Sequence, residues 1–259
     1  MKLTFLKGHI ILGLLFTGFL SSCVSTRQAI YFNGVNDGTI SANTPVPESI
    51  IRKNDLLSIS VTSLNPQATE IFNTPNTSGA TNQGNNVSGY LVNVDGSIQF
   101  PILGNIKAEG LTKDQLKESI SKKLVDRQLL TDPIVTVRLL NFRVTVLGEV
   151  QHPTVIPVPN EKISLLEAIG LAGDLTIYAK RENVLVIREE NGQKVIKRLN
   201  LNSNELLSSP YYYLKADDVV YVEPNKVRVA NAGRNAQWIP AVLSALSLTA
   251  IIIDRVVRN

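Results

Sequence analysis

The chain has 259 residues but only one cysteine and two histidines. A lone thiol excludes an intramolecular disulfide and any thiolate cage around zinc. With residues 1–22 set aside as a leader, His152 is the sole histidine, so no two-histidine metal site can form. Next to Pro153 it marks a turn, where a lone histidine is more often solvated than catalytic. No G-x-S-x-G, P-loop or G-x-G-x-x-G occurs, which removes the familiar nucleophile elbow and phosphate cradles. The adjacent carboxylates Glu189 and Glu190 would point to opposite faces of a strand and cannot flank one glycosidic bond. Lys and Arg number 26 against 22 Asp and Glu, without a dense basic run or aromatic-interleaved basic patch, so nucleic acid is not an expected partner. No catalytic residue, metal or cofactor is expected.

The N-terminus accounts for the cysteine. Lys2 and Lys7 precede an apolar run of 11 residues, Ile10 to Leu20, too short to span a bilayer but suited to a signal-peptide core. It ends at Leu20-Ser21-Ser22-Cys23, which resembles the lipobox of bacterial lipoproteins. The resemblance implies that residues 1–22 are removed and that Cys23 is acylated as the new N-terminus. Each buried methylene of such an anchor contributes about 0.8 kcal/mol, and stable attachment needs about two signals. After that cut, 24 basic residues face 22 acidic ones. Residues 23–44, with Asn33-Gly34 and Asp37-Gly38 turns, read as a lipidated tether to the first folded unit.

Alternating Leu57, Ile59 and Val61 predict a strand after a turn at Asn54-Asp55. Residues 73–89 hold 13 Asn, Thr, Ser or Gly out of 17 and read as a loop. Tyr90 to Val94, Asp95-Gly96 and Ser97 to Phe100 read as a hairpin. Thr112 with Gln115 predicts a capped helix, and Leu116, Ile120 and Leu124 predict its buried stripe. Ile134 to Leu139 predicts another strand. A second unit repeats the scheme: a strand at 142–150, a helix capped by Ser164 and Glu167, and a hairpin about Asn191-Gly192. Tyr211-Tyr212-Tyr213 could stack on sugar rings, but reads more readily as a strand alternating between core and surface. Asn54-Asp55 and Asp217-Asp218 echo each other, each a polar turn ahead of an apolar strand, which is a common turn-to-strand solution. The fold class is α+β, without regular βαβ alternation.

Together these segments resemble the outer-membrane polysaccharide export lipoproteins. Ile51 to Val61, Asp95-Gly96-Ser97-Ile98, Pro101-Ile102-Leu103-Gly104 and Gly110-Leu111-Thr112 are similar to the polysaccharide export domain, placed at 45–140. Val146-Leu147-Gly148-Glu149-Val150 with Pro153, Leu165 to Ile169, Leu171-Ala172-Gly173 and Val186-Ile187-Arg188 resemble a soluble-ligand-binding (SLBB) β-grasp domain, placed at 141–225. The resemblance implies a subunit of an oligomeric translocon for capsular or exopolysaccharide, a passive conduit without catalysis. It implies membrane lipid, a ring of identical copies, and an inner-membrane polysaccharide co-polymerase or tyrosine-kinase-like protein as partners. A periplasm-facing glycan-binding lipoprotein without a pore, and a secretion scaffold, are the alternatives.

Asn235 to Ile253 contains 19 residues without a charge, about 28 Å as a helix. A transmembrane helix is expected over 236–257, with Pro240 in its first turn and Trp238 at the interface. Gln237, Ser244, Ser247, Asp254, Arg255 and Arg258 recur on one stripe. That helix could anchor one subunit, pack on the folded units, or join copies into a ring with the stripe toward a wet lumen. The family resemblance favours the ring.

Overall fold

The computed structural model describes residues 30–33, 35, 38–39, 45–73, 89–190, 192–232 and 235–258, with backbone alone for 230–232, 235–237, 239, 253–254 and 257–258. Most of the expected loop, 74–88, lies outside the described residues.

Strand β1 (Leu56–Thr62) buries Leu57, Ile59 and Val61 and leaves Ser60 and Thr62 exposed. It pairs antiparallel with β2 (Tyr90–Leu91) on one side and β5 (Ile134–Leu139) on the other, Leu57 standing opposite both Tyr90 and Leu139. Strands β3 (Ser97–Phe100) and β4 (Gly104–Lys107) form a separate hairpin with Ile98 opposite Ile106. Helix α1 (Lys113–Asp126) buries Leu116, Ile120 and Leu124, each at 0% exposure, so the i, i+4 stripe faces the core as expected. Phe100 stacks on Tyr90 and Phe72, with ring centroids 5.3 and 6.2 Å apart. Each such side chain contributes about 1.5–3 kcal/mol by leaving water.

The expected hairpin across Asp95-Gly96 is corrected. The turn forms, with the Asn93 N–H donating to the Ser97 carbonyl at 2.8 Å. The Asp95 carboxylate accepts from the Ser97 N–H and hydroxyl, and these bonds hold it below the ordinary carboxylate range. Beyond the turn the arms separate: β2 joins β1, while β3 takes β4 as its partner. Pairing is decided by where each arm buries its apolar face, and a dipeptide cannot report that.

The second unit is a five-stranded mixed sheet in the order β7-β6-β10-β8-β9. Its strands are β6 (Arg143–Gly148), β7 (Thr154–Pro157), β8 (Ala179–Glu190), β9 (Gln193–Leu199) and β10 (Val219–Pro224). The first and last strands, β6 and β10, lie parallel at the centre, and the other pairs are antiparallel. Helix α2 (Leu165–Leu171) buries Leu165, Ala168 and Ile169 among Val144, Val146, Val186, Val220 and Val222. One helix packed with a 2-1-5-3-4 sheet is the β-grasp arrangement expected. Glu190 pairs with Gln193 at the end of the β8–β9 hairpin, where Gly192 has φ +75°; Asn191 lies outside the described residues.

Both predicted capping boxes are present. The Thr112 hydroxyl accepts the Gln115 N–H at 3.2 Å while the Gln115 side chain accepts the Thr112 N–H at 2.9 Å. Ser164 and Glu167 repeat this at 3.2 and 2.7 Å. Thr112→Ala and Ser164→Ala should each cost about 1 kcal/mol in urea unfolding. A change below a few tenths would mean that packing alone holds the helix starts.

Two polar groups tie the units together. Asn141 accepts the Leu56 N–H at 3.1 Å and donates to the Asn54 carbonyl at 3.3 Å. Glu161 accepts the Leu139 N–H at 3.1 Å through one oxygen and the Lys113 ammonium through the other.

Candidate functional site

The strands β1 and β10 are entered through the same turn. At the first, the Arg52 N–H donates to Asp55 Oδ2 at 2.8 Å, the Asp55 N–H returns to the Arg52 carbonyl at 3.2 Å, and Asn54 has φ +68°. At the second, the Lys215 N–H donates to Asp218 Oδ2 at 2.8 Å, the Asp218 N–H returns to the Lys215 carbonyl at 3.2 Å, and Asp217 has φ +63°. Asn and Asp suit the left-handed position, and a carboxylate three residues after the base closes each turn. Burial pushes the Asp55 carboxyl up, partly offset by the Arg52 N–H.

These turns border one cleft of about 970 Å³ between the two units. The first unit contributes Arg52, Lys53, Asp55 and Glu109; the second contributes Arg143, Glu189, Glu190, Lys194, Lys215 and Asp217. Most of these charges are matched: Lys53 with Glu109 at 3.9 Å, Arg143 with Asp217 at 3.2 Å, Lys215 with Glu190 at 3.0 Å, and Lys194 with Glu189. The hydrogen bond from Lys194 holds the Glu189 carboxyl below its ordinary range, and that from Lys215 does the same for Glu190. Ion pairs this exposed add little stability, so their groups can turn to a ligand at little cost. Chemically the cleft offers alternating donors and acceptors for a hydrated, polar molecule. Among the described residues no cluster of His, Cys, Asp or Glu could hold a metal ion.

The residues singled out in sequence lie elsewhere. Cys23 falls outside the described residues. Helix α3 (Lys226–Ala232) is fixed to the β-grasp unit by Arg228, which reaches Glu149 at 3.2 Å and lies over the Tyr178 ring. Helix α4 (Asn235–Arg258) carries Ser244, Ser247 and Arg255 exposed, and the backbone of Gln237, Asp254 and Arg258. The Ser244 hydroxyl bonds back to the Pro240 carbonyl and the Ser247 hydroxyl to the Ser244 carbonyl, both at 2.8 Å. Trp238, Leu243, Leu246 and Ile251 are each at least 60% exposed, so no described residue of the chain covers them.

The expected transmembrane helix over 236–257 is therefore corrected in part. The helix exists, but among the described residues no helix is long and apolar enough to cross a membrane. Ser244, Ser247 and Thr249 interrupt its apolar stretch, and charges follow from Asp254. Pro240 also stands inside the helix rather than in its first turn, because the helix begins at Asn235.

Other differences concern aromatic residues. The segment read as a tether to the first unit touches the second one instead. The Tyr31 hydroxyl donates to Asp174, the Phe32 N–H donates to the Leu201 carbonyl at 3.1 Å, and Arg181 lies 5.5 Å from the Tyr31 ring centroid. Burial first, and then the Asp174 carboxylate, push the Tyr31 hydroxyl well above the usual phenol range. Tyr211 and Tyr212 lie in a turn and Tyr213 makes a single bridge to Ser164 rather than part of a strand, with the Arg188 guanidinium 4.6 Å from the Tyr211 ring. The sequence reading did not assemble the cleft, although the paired Asn54-Asp55 and Asp217-Asp218 turns were its visible signal.

Fold and site together define a two-unit α+β protein in which a β-grasp unit and its predecessor share a polar cleft. Residues 43–140 match the polysaccharide biosynthesis/export protein family, and residues 142–222 match the SLBB domain. The chain belongs to the outer-membrane polysaccharide export family, a family of transport components and not one known for enzymes. It is 29% identical over 144 residues to the EPS I polysaccharide export outer membrane protein EpsA of Ralstonia solanacearum, covering 54% of this chain and 37% of that one. EpsA of Ralstonia nicotianae is 39% identical over 92 residues, 34% of this chain and 24% of the relative. The exopolysaccharide production protein ExoF of Rhizobium meliloti is 33% identical over 120 residues, 45% of this chain and 25% of the relative. The matches thus span between 24% and 37% of the length of these relatives.

Proposed function

We propose that the chain is a subunit of an exopolysaccharide export apparatus of the bacterial outer membrane. The observation that carries this reading is the succession of an export unit and an SLBB unit in one chain, alongside relatives named for polysaccharide export. Cys23, acylated, would hold the chain to the membrane, with the folded units mainly in the periplasm. Copies would assemble as a ring through α4, where Trp238, Leu243, Leu246 and Ile251 are covered by no other described residue. Gln237, Ser244, Ser247, Asp254, Arg255 and Arg258 would then face the lumen. A hydrated polymer needs a wide polar path with weak contacts, so the chain would conduct rather than catalyse. Energy and timing would come from an inner-membrane co-polymerase or tyrosine-kinase-like partner.

Removing residues 235–259 tests this. Cells carrying only the shortened protein should lose surface exopolysaccharide, and the purified protein should drop from a high-order mass to that of one chain. Its urea midpoint should stay near the parent's, because no described side chain of α4 belongs to the core. Undiminished export by the shortened chain would sink the reading. The cleft favours a second one, a glycan-binding lipoprotein without a pore. A full chain that is monomeric in detergent and binds glycan would decide for it.

A further inference from the structure

One cation in the cleft lies close enough to Asp55, Glu189 and Glu190 to favour their charged forms, yet touches none of them as an ion pair. Lys53, Arg143, Lys194 and Lys215 each meet a carboxylate, whereas Arg52 forms no ion pair among the described residues. Its guanidinium gives one hydrogen bond, from Nη2 to the backbone carbonyl of Glu189 at 2.8 Å. A guanidinium has five N–H donors in a planar fork, a shape that fits a carboxylate two bonds at a time. Lys215 holds the same position in the second turn and reaches Glu190, the next residue of the hairpin tip, at 3.0 Å. The two turns therefore aim one cation from each unit at adjacent residues of one hairpin. Among the described residues no aromatic ring lines the cleft, so they offer a neutral sugar ring no face to stack on. Ammonium and carboxylate groups around Arg52 can donate to and accept from hydroxyls.

We propose that the cleft is a binding site for a carboxylated saccharide, with the acid on Arg52 and ring hydroxyls on the Lys215–Glu190 and Lys53–Glu109 pairs. That the ligand is a saccharide rests on the export reading; that it carries an acid rests on Arg52. The volume of about 970 Å³ accommodates more than one sugar ring, since small-molecule sites run from about 300 to 1,000 Å³. The site draws on both units, so neither alone is complete.

Calorimetric titration of the full chain in detergent with tetra-glucuronate, and with the neutral glucose oligomer of the same length, tests the assignment. The glucuronate oligomer should bind, the glucose oligomer should bind at least about tenfold more weakly, and added salt should weaken the former. Arg52→Gln should weaken glucuronate binding by about tenfold or more, and Arg52→Lys, which keeps the charge without the fork, should fall between. Thermal unfolding of each variant at the parent temperature shows that folding is intact. Equal binding of the two oligomers, no glucuronate binding, or unchanged affinity in a folded Arg52→Gln overturns the proposal. Export lost with α4 but no glucuronate binding would leave the conduit reading standing without this site. Glucuronate binding by a chain that supports no export would do the reverse.

Discussion

Asp218→Ala is expected to destabilise the protein by about 3–5 kcal/mol, seen as a lower urea midpoint at unchanged slope. Asp218 is 0% exposed and Arg188 is 3% exposed. The guanidinium grips the carboxylate through Nε at 3.0 and 3.1 Å and through Nη2 at 2.7 Å. Nη2 also donates to the Tyr213 carbonyl at 3.2 Å, and Asp218 closes the turn into β10. Removing the acid leaves a buried cation whose remaining carboxylate, Glu190, stands 4.0 Å away, and opens the turn, so the loss greatly exceeds that of any rim ion pair in the cleft. The paired replacement Arg188→Met with Asp218→Leu should recover much of the loss, because apolar groups carry no desolvation penalty. An Asp218→Ala protein with the parent midpoint would show that the pair contributes nothing to stability.

Gly148→Ala is expected to cost on the order of 3–4 kcal/mol, a fall in Tm of roughly 10 °C for a chain of this size. Gly148 ends β6 with φ +93°. An added Cβ would stand 2.0 Å from the Val222 carbonyl oxygen on β10. That oxygen accepts the Glu149 N–H at 3.0 Å, and Val222 is fully buried, so neither strand can give way cheaply. The central parallel pair must part or the backbone must leave its conformation. A Tm within a degree or two of the parent's would mean that the β6–β10 junction yields easily.

The features legible in the sequence were those settled within a few residues. Thr112 with Gln115 and Ser164 with Glu167 are local hydrogen-bond exchanges, and the buried Leu116, Ile120 and Leu124 follow from helical spacing. Asn191-Gly192 demands a tight turn wherever it sits. Strand partners were not legible to the same degree: Asp95-Gly96 fixes a turn, but Phe72, Tyr90 and Phe100 decide which sheet each arm joins. The cleft is harder still. Arg52 and Lys215 are far apart in sequence, and only the docking of the two units through Asn141 and Glu161 brings their turns to one place. Tyr211 to Tyr213 misled because aromatic runs suit strands, whereas here cations at Arg188 and Lys162 take up the rings.

The contacts of Tyr31 and Phe32 also set an order of assembly. Tyr31 waits for Asp174, 143 residues later, and Phe32 waits for Leu201. At about 5–20 residues per second, synthesis takes roughly 7–30 s to supply the first of those partners. The stretch made earliest is thus among the last to settle.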